Sequence, residues 1–153
     1  MLLALNDVID EEAQVQPLQR RIASSDDPAE ILALAARLRR QLMESAGDIV
    51  DVLTSAAHAD EDVAEVYREG QERSRIGCRR IVERLDSLGA LREELPVTHA
   101  ADALYALLHH AVWTRLVSEC GWTADAFETW CSDILCRALL RTGNASDVPP
   151  DRR

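Results

Sequence analysis

Between Ala100 and Leu140 the chain reads AADALYALLHHAVWTRLVSECGWTADAFETWCSDILCRALL, two apolar helical segments joined at Gly121-Trp122-Thr123. At about 100° per residue, Tyr105, His109, Val112, Leu116 and Cys120 line one face of the first segment. Ala100, Leu104, Leu107 and Ala111 line the opposite face. A surface helix needs one apolar stripe, whereas a helix apolar on two faces is covered on both. The second face is therefore expected to meet another copy of the chain. The corner itself carries chemistry: Gly121 suits a left-handed helix end, and Thr123 suits an N-cap. Trp122 and Phe127 have the spacing of a hydrophobic staple, and Asp125 sits where the helix dipole favours an anion.

Upstream, every segment reads as helix. An apolar pattern runs from Leu2 through Ile9 with no cap before it, as if a helix had been cut, and the stretch from Asp10 to Ser25 reads as loop after Pro17. Asp27-Pro28-Ala29-Glu30 is a strong helix start, with an N-cap, a proline at the first position and a capping-box acid. Ile31, Leu34, Ala35, Leu38 and Leu42 keep helical spacing until Gly47-Asp48, which is expected to end that helix and cap a short one bearing Ile49, Val52, Leu53 and Ala56. A long helix from about Asp60 to Leu88 places Val63, Tyr67, Gly70, Ser74, Gly77, Ile81, Leu85 and Leu88 on one stripe, with Glu69/Arg73 and Arg79/Glu83 pairs outside. Gly89 ends it, and Thr98 is the expected cap of the next helix. No segment alternates with period two, so the fold class is all-α: a bundle of about six helices whose last two form a dimerising antiparallel hairpin. The expected division is one domain over residues 1–142 and a disordered tail over residues 143–153, with Pro149-Pro150 in the tail.

Charge and motif content narrow the function. The net charge of −10 makes the chain a poor binder of nucleic acid, whose phosphates need cations to neutralise them. That all 17 basic residues are arginine is read as a matter of coding composition rather than of chemistry. No apolar run approaches the roughly 20 residues of a bilayer span, and the N-terminus lacks a basic signal-peptide region, so a cytoplasmic location and no membrane partner are expected. The cysteines Cys78, Cys120, Cys131 and Cys136 form no C-x-x-C pair and read as small buried hydrophobes. Neighbours on a straight helix point about 100° apart, so His109 and His110 are not expected to share a metal, and no Cys/His ligand spacing is present. No nucleophile elbow, phosphate loop or dinucleotide fingerprint occurs, and neither enzymatic activity nor a cofactor is expected.

Two features point toward a small-molecule site. Gly70 and Gly77 each weaken the long helix by roughly 1 kcal/mol relative to alanine, which close packing explains, or else space beside a cavity. Gln71 and Ser74 lie between them. Tyr105, His109 and Trp113 cluster on the next helix, which suits either plain core or an apolar cavity with polar handles. The expected pocket lies among Leu38, Leu42, Val52, Tyr67, Gln71, Tyr105, His109 and Trp113, and the expected interface on Phe127, Trp130, Ile134 and Ala138.

The closing run, with Trp113, Leu116-Val117, Glu119, Gly121-Trp122 and Phe127-x-x-Trp130, resembles the end of the tetracycline-repressor-like (TetR) transcriptional regulators. LLALNDVIDEEA near the start and RRIVERL over Arg79 to Leu85 look like that family's middle, so the resemblance extends to about Leu140. It implies an effector-binding and dimerisation domain whose last two helices pair with a second subunit, so that the partners are a homodimer mate and a small, mostly apolar effector. It also implies that DNA is reached only through an N-terminal helix-turn-helix head, which this chain lacks, residues 1–14 being the remnant of the connector. A naturally headless protein that sequesters a ligand or heterodimerises is the alternative, and a helical enzyme or metal protein using His109, His110 and the cysteines is a third reading. Many relatives carry Ser-Pro where this chain has His109-His110; without the proline the helix is expected to run straight.

Overall fold

A computed structural model describes residues 5–142, and the expectations for residues 1–4 and 143–153 lie outside them. The described chain is all-helical: α1 (Leu5–Glu12), α2 (Val15–Ser24), α3 (Pro28–Ala56), α4 (Glu61–Ser87), α5 (Val97–Leu107), α6 (His110–Trp113), a π-helical turn (Thr114–Glu119) and α7 (Ala124–Leu139). Seven α-helices stand where about six were expected, because two stretches behave differently from their sequence pattern. The polar segment after Asp10 is helical: Val15, Leu18 and Ile22 turn inward as one stripe of α2. Pro17 sits in the first turn, where its missing N–H has no helical acceptor to satisfy. The segment from Ala100 to Cys120 is broken into three pieces.

α3 is the central helix, touching α1, α2, α4, α6 and α7. Asp27 caps it, its carboxylate accepting from the Ala29 and Glu30 amides at 2.9 and 3.3 Å. The capping box does not close, because Glu30 accepts from Ser25 Oγ at 2.6 Å instead. Gly47 does not end the helix; the chain kinks one residue earlier, at Ala46 (φ −138°), and the helix resumes to Ala56. Asp60 caps α4 from the Asp62 and Val63 amides, and Gly89, with φ +64°, turns the chain out of it. Thr98 is not a cap: α5 begins at Val97, with Pro96 in the cap position and no side-chain hydrogen bond. The core runs between α3, α4, α5 and α7, where Ile31, Leu32, Leu85, Leu104, Phe127 and Leu135 are fully buried.

α7 is held at both ends. At its start, Arg40 of α3 forms ion pairs with Asp125 and Glu128. At its end, Leu140 bridges Leu91 in the α4–α5 connection, with Arg92 N–H donating to Leu139 O and Arg141 N–H to Ala90 O, each at 3.0 Å. The corner before α7 follows the sequence: Gly121 has φ +75°, and the Thr123 hydroxyl accepts from the Ala126 amide at 3.1 Å. The staple differs, since Trp122 packs edge-on against Trp130 and Phe127 packs edge-on against Trp113. No described helix is long and apolar enough to cross a membrane.

Candidate functional site

A cavity of about 410 Å³ opens between α1, α2, α3, α4 and the end of α5. That is within the size range of small-molecule sites. Its wall is made by an apolar side of α3, the small-residue side of α4, and the point where α5 stops.

The stop is local chemistry. Leu108 ends α5, and His109 takes extended backbone (φ −63°, ψ 140°) as the N-cap of α6. The imidazole serves as its own capping group, Nδ1 accepting from the Ala111 amide at 3.3 Å. The expectation of a straight helix through His109-His110 therefore fails, because a histidine ring supplies the cap that breaks it. The break also overturns the orientation expected for the pair: the two rings lie with centroids 4.1 Å apart, and both line the cavity. No cluster of three metal-ligating side chains occurs among the described residues.

The proton positions follow from the hydrogen bonds. Nδ1 of His109 is an acceptor, so in the neutral ring Nε2 carries the proton and is the free donor. Burial, followed by the charge of Arg39, lowers His109 below its ordinary value. Burial lowers His110 further, to about 4, with His109 and Arg39 adding to it. The Thr54 hydroxyl already donates to Val50 O at 2.7 Å, so it accepts from His110 Nε2 at 3.4 Å. Both imidazoles are neutral near pH 7.

Two glycines on α4 help to shape the wall, for different reasons. A Cβ on Gly70 would come within 3.2 Å of Asn6 Oδ1, so Gly70 lets α1 approach. Asn6 is buried there, and its amide donates to Val66 O at 3.1 Å and to Glu69 at 3.2 Å. A Cβ on Gly77 would meet nothing within 4 Å, which leaves Gly77 as open space in the wall. On the rim, Arg73 is neutralised by Asp7, Asp10 and Glu69. Arg79 and Glu83, also expected to pair, form no ion pair among the described residues.

Of the eight residues expected at the pocket, Leu38, Leu42, Tyr67, Gln71, Tyr105 and His109 line the cavity. The Tyr105 hydroxyl donates to Gln71 Oε1. Val52 is a correction: it is 65% exposed and does not line the cavity, while its neighbour Leu53 is turned inward and does. Trp113 is a second correction, being 7% exposed and packed on Phe127 beyond the break. Of the four residues expected at the interface, Phe127 is fully buried in the chain's own core, on the stripe Phe127, Cys131, Leu135, Leu139. Trp130, Ile134 and Ala138 lie on the adjoining stripe and are half-buried. Cys78 and Cys131 are buried as expected, but Cys120 is exposed, and all four thiols are free.

Arg39 is the residue the sequence reading missed. It lines the cavity, and burial pulls its guanidinium below the ordinary value. Its Nε is sealed from solvent without a hydrogen-bond partner, and no carboxylate pairs with it among the described residues. A signal existed: Ile31, Ala35 and Met43 are buried at four-residue spacing, and Arg39 fills the remaining position of that stripe. Comparison with known protein families, curated proteins and solved structures gave no match.

Proposed function

We propose that this chain is the ligand-sensing and dimerisation domain of a TetR-like transcriptional regulator. The observation that carries the reading is the helix break at Leu108-His109, which opens onto the cavity. It falls at the position where the resemblance implies a break beside the effector, although histidine stands there in place of proline. In this reading DNA contact belongs to a separate head, and the effector acts by favouring one conformation of a homodimer over another.

The half-buried stripe Trp130, Ile134, Ala138, with Trp122 packed on Trp130, is the surface we assign to the second copy, α7 pairing as part of an antiparallel helical hairpin. Sedimentation of the whole chain is expected to show a dimer at micromolar concentration. Trp130→Asp or Ile134→Asp is expected to give a monomer of unchanged helix content, since each would bury an unpaired charge at the interface. A wild-type monomer would overturn the dimeric reading.

A further inference from the structure

Three observations converge on the ligand's chemistry. The cavity wall is mostly apolar, with Ile9, Ile22, Leu38, Leu42, Leu53 and Leu108 among its residues. Four arginines stand in that wall, Arg39, Arg73, Arg80 and Arg84. Arg73 and Arg84 are held by carboxylates, and Arg39 is the one with a buried Nε that has no hydrogen-bond partner. The second buried side-chain atom without a partner, Gln41 Oε1, belongs to a residue outside the wall. Near Arg39 are two imidazoles held below their ordinary values, His109, whose Nε2–H is free to donate, and His110, together with the Tyr105 side chain. A buried charge without a counter-ion is costly unless something supplies one, and a guanidinium fork matches a carboxylate in two parallel hydrogen bonds.

We infer that the cavity takes an amphipathic monocarboxylic acid, its carboxylate on Arg39 and its apolar body along α3 and α4. The overall acidity of the chain, −10, would suggest a cationic ligand, but the charged residues of the cavity lining are four arginines and one carboxylate, Asp10, which is paired with Arg73. The inference rests on the cavity being the sensing site, and adds the class of molecule sensed.

The test uses the whole chain with probes matched in size: straight-chain carboxylates from octanoate to dodecanoate, with decanol and decylamine as uncharged and cationic counterparts. The carboxylates are expected to raise the thermal midpoint, with the best of them binding at least about tenfold tighter than decanol in calorimetry. Decylamine is expected to give no shift. Arg39→Met keeps the side chain's length without its charge; it should erase the preference for acid over alcohol and raise the midpoint of the ligand-free protein. Equal binding of acid and alcohol by the wild-type chain, no shift with any carboxylate at millimolar concentration, or an intact preference in Arg39→Met each overturns the carboxylate assignment. The wild-type comparison decides the matter even if the variant does not fold. A monomer in sedimentation instead overturns the dimeric regulator reading and leaves the acid site standing.

Discussion

Arg39 and His110 pull the protein's stability in the same direction. Both are ionisable groups placed where burial disfavours charge, and each sits at the cavity rather than in a closed core. For His110 the consequence depends on pH. The folded ring titrates at about 4, below its ordinary value of 6.5. Between those values the unfolded chain binds a proton that the folded chain refuses, so stability falls as pH is lowered through that window. The thermal midpoint of the wild type should therefore drop more steeply between pH 7 and pH 4 than that of His110→Gln, where other groups still titrate but this one does not. Parallel curves would show that His110 is protonated in the fold. The glycines give a second residue-scale prediction. Gly77→Ala should stabilise the protein by up to about 1 kcal/mol in urea denaturation, because its Cβ enters open space. Gly70→Ala should gain less, since Asn6 must give way; equal gains would remove that contact as the reason for Gly70.

At the scale of elements, the proposed reading gives α7 two jobs, one on each of its adjoining stripes. Phe127→Ala should destabilise the fold by about 3–5 kcal/mol in chemical denaturation, because Phe127 is fully buried against Trp113. Trp130→Asp should change association far more than fold. Similar stability losses from both would place Trp130 in the core. Sequence periodicity showed that α7 is apolar over a wide arc, but not which stripe faces inward, because that depends on where α3 crosses it. The caps at Asp27, Asp60 and Thr123 and the turn at Gly121 were legible because they are satisfied within a few residues of themselves. α2 was not, because a proline reads as a loop unless its place in the first turn is known. Nor was the break at His109, because histidine signals no cap until the ring is seen folded back on the Ala111 amide. Six of the eight residues expected at the pocket line the cavity and were legible from the stripes of α3 to α5. Val52 was not, because it and Leu53 are adjacent apolar residues and only the packing shows which one faces inward. Arg39 was hidden as an ordinary charge on an amphipathic helix.

For the whole molecule, the cavity draws its wall from α1 to α5 and the His109-His110 break, and none of it from α7. A carboxylate held there should slow amide hydrogen exchange together in α1, in the middle of α4 and around Tyr105 to His110. Exchange over Trp130 to Leu139 should change little in a variant kept monomeric by Trp130→Asp. Protection confined to one helix would show that the probe binds on the surface. Because Asn6 ties α1 to α4 through Val66 O, Asn6→Ala should release residues of α1 to faster exchange and leave α7 untouched.

The two attachments of α7 give it a mechanical character. It is pinned to α3 through Arg40 at one end and to the α4–α5 connection through Leu91 and Leu140 at the other. The helices it spans are the same ones that wall the cavity. In the proposed regulator, a change in the spacing of α3 and α4 would therefore load these two attachments of α7, even though α7 lies outside the cavity wall.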